Sequence, residues 1–172
     1  MTSPPGGISP CRRTCASIRS SNSIRTLCRR YGPPVLDETT EFGQRATRRL
    51  HEAIIGWLTS VSPEGAPQPI PVWFLWDGDR SVLLYSRPGK RKLQNIEANP
   101  QVSLNLDSDG VEADIVVCWG QVHISDDPPA NEVPEYVAKY AGRIAALGWT
   151  PESFAADFSV PLRIELSRIH GW

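Results

Sequence analysis

The sequence lacks any long hydrophobic run. Its most apolar segments are interrupted by Pro, Asp or Gly every few positions, and none approaches the roughly 18 to 20 residues that a membrane-spanning helix needs. The 172 residues are 40% hydrophobic and 22% charged, which is ordinary globular composition. We therefore expect a cytoplasmic protein with one folded domain and no membrane partner.

Cysteine and histidine are scarce in the part of the chain that could fold. Three of the four cysteines, Cys11, Cys15 and Cys28, precede residue 35, which excludes a disulfide framework from the rest. The remaining Cys118 is predicted to be a buried small hydrophobe. The three histidines are widely separated, so no metal site is predicted. No Ser-His-Asp or Cys-His arrangement is readable, and no catalytic side chain is predicted.

Acidic residues are absent from positions 1–34, which carry six Arg and many Ser, Pro and Gly. Residues 35–172 hold 12 basic and 19 acidic side chains, a net charge of -7. The first segment cannot bury enough apolar surface to offset the entropy of ordering. We predict a disordered tail, a transit-like peptide, or residues that a start codon assigned too far upstream has added. As a nucleic-acid arm it would bind weakly, and no nucleic-acid partner is expected.

The folded domain is predicted over residues 36–172. Apolar periodicity gives the order helix, three strands, short helix, two strands, two helices and strand. Gly120 is predicted to mark a bulge or a close backbone approach, Gly148 to end a helix and Thr150 to cap the next one. The order predicts a mainly β fold, an antiparallel barrel of about six strands with peripheral helices. The predicted strands are Ile54–Val61, Ile70–Trp76, Val82–Tyr85, Val102–Leu106, Asp114–Ile124 and Leu162–Ile169.

A cluster of positive charge follows the third predicted strand. That strand ends at Tyr85 and Ser86, and Arg87 and the run 90–92 then fall within six residues at the start of a helix. Cations at a helix N-terminus face the positive end of its dipole and its free N–H groups. A bound phosphate would satisfy both, so the segment predicts a phosphate site.

The residues around this cluster resemble the phosphate-binding segment of a known family, the split-barrel flavin and deazaflavin oxidoreductases that are similar to pyridoxamine phosphate oxidase. The residues that carry the resemblance are Tyr85-Ser86, Lys90-Arg91-Lys92, Asn95-Ile96, Asn99-Pro100 and Val102. The resemblance extends over residues 36–172. The segments that look like the branch using coenzyme F420 are Ile55–Thr59, Pro67–Gly78 and the strand around Gly120.

The resemblance implies roles for five residues at the phosphate end. Ser86 would donate its hydroxyl to a phosphate oxygen, and Lys92 would be the principal cation. Lys90 and Arg91 would supplement Lys92, and Tyr85 would belong to the same set of cofactor-binding residues. Arg87 falls in a loop that varies in such proteins, so it is left out of the predicted site.

The resemblance also places the strand around Pro71, Val72 and Trp73 beside the tricyclic ring of the cofactor. Pro71 cannot donate to a sheet ladder, which suits an edge or a ligand-facing position. Flavin enzymes of the family keep an Arg or Lys pattern on this strand, whereas this chain has Pro-Val-Trp-Phe-Leu-Trp. That departure favours the F420 branch over true pyridoxamine phosphate oxidation.

The function that the resemblance implies is hydride transfer from reduced coenzyme F420 to an unsaturated or quinone-like small molecule. The alternatives are an FMN-dependent oxidoreductase and a non-catalytic protein that binds or carries a flavin, deazaflavin or haem. Proteins of this family pair as homodimers and build the site across the interface. A homodimer is therefore expected, with Trp119 and Trp172 as candidates for the substrate pocket.

Overall fold

The computed structural model describes residues 35–108 and 115–171. The predicted tail, its three cysteines and Trp172 lie outside the described residues. The strands in the described part are β1 (Gly56–Val61), β2 (Pro67–Val72), β3 (Phe74–Trp76), β4 (Ser81–Ser86), β5 (Gln101–Leu106), β6 (Val116–Ile124) and β7 (Val160–Gly171). The helices there are α1 (Glu41–Glu52), α2 (Arg91–Ala98), α3 (Pro134–Ala146) and α4 (Pro151–Asp157), with a 3-10 turn at Ala130–Glu132.

The strands form one antiparallel sheet in the order β2-β1-β5-β6-β7-β4-β3. The sheet curls into a half-barrel, and the helices lie at its periphery. Short turns rather than helices join β1 to β2 and β3 to β4, which is the connection that favours antiparallel pairing. The predicted fold class, a mainly β antiparallel split barrel with peripheral helices, is confirmed.

The helix ends follow from residues that cap them. Thr40 precedes α1, and its hydroxyl oxygen accepts a hydrogen bond from the Gly43 amide at 3.0 Å. Thr150 and Ser153 form a reciprocal capping box at the start of α4. Gly148 adopts a φ of 76° just after α3, a conformation that favours glycine. The caps predicted at Thr150 and Gly148 are therefore confirmed. Among the described residues, none of the helices combines the length and the hydrophobicity that a membrane span needs.

Gly120 marks a bulge between the two longest strands, as predicted. Trp119 pairs with Arg168, but Gly120 pairs with Leu166, so β7 has one extra residue at this point. A Cβ atom at position 120 would overlap the carbonyl oxygen of Glu165. Glycine is required here because the two backbones approach too closely for any side chain.

The prediction of one strand over Ile70–Trp76 is wrong. The segment is divided at Trp73, so that β2 pairs with β1 at one edge of the sheet and β3 pairs with β4 at the other. Trp73 leaves the ladder and stacks on Tyr140 of α3, with ring centroids 4.7 Å apart and planes 3° apart. Seven strands result where the sequence predicted about six.

The Tyr140 hydroxyl holds the backbone where this strand divides. Its oxygen lies 2.8 Å from both the amide nitrogen and the carbonyl oxygen of Phe74, and 3.0 Å from the carbonyl oxygen of Ile54. It accepts from the Phe74 N–H and can donate to either carbonyl. Burial raises the pKa of Tyr140, so the hydroxyl keeps its proton. One buried side chain thus replaces the ladder hydrogen bonds lost at the break.

Two apolar clusters lie on either side of β4. Val82 and Leu84 belong to the core inside the curled sheet, whereas Leu83 and Tyr85 pack outward against α3 and α4. Every residue of β4 is buried for this reason, and Val82 to Tyr85 form a continuous apolar run rather than an alternation. Cys118 lies in the inner core, where burial raises the pKa of its thiol to about 12. Its predicted role as a buried hydrophobe is confirmed.

We predict that Tyr140→Phe lowers the free energy of unfolding by about 1 to 3 kcal/mol. The change leaves the buried Phe74 N–H without its acceptor, and an unpaired buried group of this kind costs that much. Urea denaturation followed by tryptophan fluorescence measures the difference.

The matched control is Tyr136→Phe, one helical turn earlier on α3. Tyr136 is 1% exposed, and its hydroxyl makes no hydrogen bond within the described residues. This variant should stay within about 0.5 kcal/mol of the parent protein. Equal stabilities of the two variants would contradict the assignment of Tyr140.

Candidate functional site

The candidate site begins where β4 ends at Ser86 and the chain turns into α2. Gly89 adopts a φ of 69° in the connecting loop, and Lys90 is the N-cap residue of α2. No side chain caps this helix, and its first turn contains no acidic residue. The free N–H groups and the cations therefore lie at the same helix end, which is an arrangement that favours an anion.

A groove with a volume of about 340 Å³ lies beside this helix start. Its lining includes four cationic side chains and no carboxylate. Two polar side chains of the β1-β2 hairpin and two apolar side chains complete the wall. The lining residues are Ser60, Gln68, Ile70, Arg87, Lys90, Arg91, Lys92 and Phe158. The groove thus joins three of the predicted cofactor-binding residues, Lys90, Arg91 and Lys92, to five residues that were not predicted.

Lys92 is the cation of the groove whose environment is most unusual. It is half-buried, and it forms no ion pair with any described residue. Burial lowers the pKa of its ammonium group, and the neighbouring Lys90 charge lowers it further. Both effects disfavour the charged form in the free protein. An anion in the groove would oppose both, so Lys92 is suited to bind one.

Asn95 of α2 organises the floor of the groove. It is 1% exposed, and its amide nitrogen donates to Ser60 Oγ at 3.0 Å and to Gln68 Oε1 at 3.1 Å. Both oxygens accept from Asn95, and Ser60 keeps its hydroxyl hydrogen and Gln68 its amide N–H groups for donation. The floor therefore presents hydrogen-bond donors beside the cations.

Arg87 lines the groove although it was left out of the sequence prediction. Its Nη2 atom lies 2.9 Å from Oδ2 of Asp157, at the end of α4. Its guanidinium carbon lies 4.8 Å from the ring centroid of Phe158 and 5.7 Å from that of Trp149, within the range of cation–π attraction. These partners lie about 60 to 70 positions away in sequence, so no local pattern could have indicated them.

Ser86 and Tyr85, predicted from the resemblance, are not among the residues that line the groove. Ser86 is fully buried, and its hydroxyl donates to the Arg87 carbonyl at 3.0 Å. The Tyr85 hydroxyl donates to the Pro128 carbonyl at 2.7 Å, and its ring packs edge-on against Tyr136. Burial, together with the charge of Asp127, raises the pKa of Tyr85 to about 12. Both hydroxyls therefore have protein partners in this structure.

The predicted ring-binding residues Pro71, Val72 and Trp73 lie in three different environments. Pro71 is exposed on the edge strand β2, opposite Trp57. Val72 is 6% exposed and belongs to the inner core. Trp73 is half-buried in the outer cluster. None of the three lines the groove, where β2 instead contributes Gln68 and Ile70.

The two faces of the β1-β2 hairpin differ in chemistry. Ser60 pairs with Gln68 on the face that lines the groove, while Trp57 and Pro69 lie on the opposite face because strand residues alternate. That opposite face has a second depression, of about 420 Å³. Its lining is Trp57, Thr59, Pro69, Asn105, Leu106, Asp107, Ile115 and Val117. Trp57 is 43% exposed there.

We predict that Asn95→Ala lowers the free energy of unfolding by about 1 to 3 kcal/mol, because it removes both hydrogen bonds to β1 and β2. Chemical denaturation measures the change. Gln94→Ala is the matched control, since Gln94 is the exposed neighbour on the same helix and should change the value by less than about 0.5 kcal/mol. A stability of Asn95→Ala equal to that of Gln94→Ala would argue against the role of Asn95.

Comparison with known proteins gives one family and several related folds. The sequence model of the family described as pyridoxamine 5′-phosphate oxidase matches residues 42–172. No curated protein gives a significant match. Among solved structures, a protein described as an F420 reductase is 23% identical, with a TM-score of 0.54. The alignment covers 72% of this chain and 94% of that one.

Two further structures are similar in fold. A conserved hypothetical protein from Mycobacterium tuberculosis is 19% identical with a TM-score of 0.59, over 82% of this chain and 87% of its own. An FAD-binding protein from Mesorhizobium loti is 20% identical with a TM-score of 0.54, over 73% of this chain and 88% of its own. At these low sequence identities, the similarity to the three structures shows a shared fold and not a shared function.

Proposed function

The chain belongs to the pyridoxamine 5′-phosphate oxidase family, and on that premise we propose that it is an oxidoreductase that uses reduced coenzyme F420. The hydride acceptor would be an unsaturated or quinone-like small molecule. Membership of the family supports a flavin-type oxidoreductase or binding protein. The observation that carries the proposal further is the groove at the start of α2, which is lined by four cationic side chains and by two neutral side chains that can donate hydrogen bonds.

The residues of this groove fit the anionic end of such a cofactor. Lys92 is a half-buried cation without an ion-pair partner among the described residues, and Lys90 and Arg91 add two charges at the same helix end. Ser60 and Gln68 offer neutral donors on the floor. Charge-assisted hydrogen bonds from such groups to phosphate are among the stronger ones in proteins. The chain would hold the cofactor through these contacts.

When bound, the deazaflavin supplies the ring carbon that carries the hydride, so the chemistry belongs to the cofactor. The chain's own contribution is to bind and orient it. The hydroxyls of Tyr85 and Tyr140 are engaged with backbone groups, and neither residue lines the groove. This supports a site in which no side chain has to act as an acid or base.

Coenzyme F420 is favoured over FMN for two reasons. The strand sequence Pro-Val-Trp-Phe-Leu-Trp departs from the Arg or Lys pattern of the flavin branch. In addition, Lys90, Arg91 and Lys92 line the groove without an ion pair to any described residue, whereas one phosphate carries a charge of only about -1.5 to -2. The longer polyanionic tail of F420 suits that number of cations better.

A measurement of cofactor binding distinguishes an F420-dependent protein from an FMN-dependent one. We expect saturable binding of F420, followed by the fluorescence of its ring, and weaker binding of FMN. Lys92→Gln should weaken F420 binding by about 1.5 to 3 kcal/mol, the range for a hydrogen bond to a charged group. Its stability should be unchanged or higher, because burial already disfavours the Lys92 ammonium.

The matched control is Lys139→Gln. Burial lowers the pKa of Lys139 to about 8, so Lys139 resembles Lys92 in environment, but it lies outside the groove and against the Phe74 ring. This variant should bind F420 as the parent does. If FMN copurifies with the protein and F420 does not bind, the cofactor is FMN rather than F420. If F420 binds but no compound in a panel of quinones and unsaturated ketones oxidises the reduced cofactor, the result would favour the carrier function.

We also propose a homodimer formed through the face of the β1-β2 hairpin that is opposite to the groove. That face exposes Trp57, Pro69 and Pro71. Asn105 lies in its depression, with a buried Oδ1 atom that has no hydrogen-bond partner. A second copy would cover the apolar surface and could supply the missing donor.

We predict that light scattering after size-exclusion chromatography gives the mass of two chains for the parent protein. The Trp57→Glu variant should have the mass of one chain, because dimer formation would bury its unpaired charge in the interface. Leu147→Glu is the control and should remain dimeric, because Leu147 is 59% exposed at the end of α3 and does not line this depression. A parent protein that elutes as a monomer at all concentrations would exclude the proposed dimer.

A further inference from the structure

Arg87 is the one cation of the groove that does not belong to the start of α2. It precedes Gly89 in the loop after β4, and its guanidinium is held by residues at the end of α4 and in the segment before it. Contacts with α4 and its flanking residues therefore position Arg87 in the groove, whereas α2 positions Lys90, Arg91 and Lys92.

The contacts of Arg87 fix its plane but leave donors unused. Asp157 pairs with the Nη2 atom at 2.9 Å, and Phe158 lies 4.8 Å from the guanidinium carbon. The Nε–H group is buried and has no hydrogen-bond partner. Asp157 itself does not line the groove, whereas Arg87 and Phe158 do. A guanidinium carries five N–H donors in a rigid fork, so it can keep the ion pair and still bind a second anion.

The charge of the groove exceeds what one phosphate can balance. Lys90, Arg91 and Lys92 already supply three positive charges at the helix N-terminus, and a phosphate monoester carries about -1.5 to -2. Arg87 adds a fourth cationic side chain, and Asp157 already balances its charge. No carboxylate lines the groove to balance the three charges at the helix start. A ligand with a second anionic group would match this lining better than a monophosphate.

We propose that Arg87, positioned by Asp157 and Phe158, is a specificity-determining residue that binds a second anionic group of the ligand. The ligand class is then a polyanion, either a diphosphate or a phosphodiester that carries carboxylates. The assignment deepens the proposed function and rests on it in using the same groove. The proposed function concerns the binding of the cofactor, whereas the role of Arg87 concerns selectivity between a polyanion and a single phosphate.

The test compares inorganic phosphate with inorganic diphosphate by isothermal titration calorimetry on the full chain. The parent protein should bind diphosphate at least about tenfold more tightly. Arg87→Gln should lose about tenfold in diphosphate affinity, the loss expected for one hydrogen bond to a charged group, while phosphate affinity changes less than about threefold. Equal losses for the two anions, or no loss, would overturn the assignment.

Two further variants separate recognition from charge and from folding. Arg87→Lys keeps the charge but lacks the planar fork that pairs with Asp157 and stacks on Phe158. It should fold as the parent does and still lose most of the preference for diphosphate. Arg48→Gln removes the same charge from an exposed residue of α1 outside the groove, and its preference should be unchanged. An Arg87→Lys protein that keeps the full preference would overturn the proposal.

The same variants distinguish this inference from the function on which it rests. If F420 and FMN both fail to bind but diphosphate selectivity depends on Arg87, the cofactor proposal fails and the Arg87 assignment stands. If F420 binds equally well to the parent protein and to Arg87→Gln, the cofactor proposal stands and the Arg87 assignment fails.

Discussion

The hydrogen bonds of the Tyr140 hydroxyl to the Phe74 backbone hold the place where the curled sheet changes direction. A strand that runs from one edge of the sheet to the other must leave one ladder before it joins the next. At that point its N–H and C=O groups would be buried without partners, at a cost of about 1 to 3 kcal/mol each. The tyrosine satisfies them, and Trp73 stacks on its ring. The split of the barrel therefore depends on one side chain of α3.

This constraint also positions the groove. Because β2 ends before Trp73, its earlier residues remain paired with β1, and Ser60 and Gln68 lie side by side. Asn95 then ties α2 to both, which brings the cations at the start of α2 against the floor. On the other side of the break, β3 and β4 pack against α3 and α4, whose end carries Asp157 and Phe158 to Arg87.

The groove illustrates a conflict between stability and binding. Lys92 is partly buried without a counter-charge among the described residues, and the dipole of α2 adds an unfavourable interaction with the cations at its start. Each of these effects disfavours the folded protein in the absence of an anion. Such local conflicts are expected at functional sites, where residues serve a ligand rather than the fold. The Arg87–Asp157 pair differs, since its two charges balance each other and hold the loop.

The sequence by itself determined the features that depend on near neighbours. The apolar periods, the caps at Thr150 and Gly148, the bulge at Gly120 and the cation cluster at the start of α2 all follow from residues within a few positions of one another. Only the tertiary structure decided which strand edge each half of the 70–76 segment joins, and which distant side chains complete the groove. Ser60, Gln68 and Asn95 meet through strand register and helix packing, and Arg87 meets Asp157 across 70 positions. Such contacts depend on the curl of the whole sheet, and no local pattern records them.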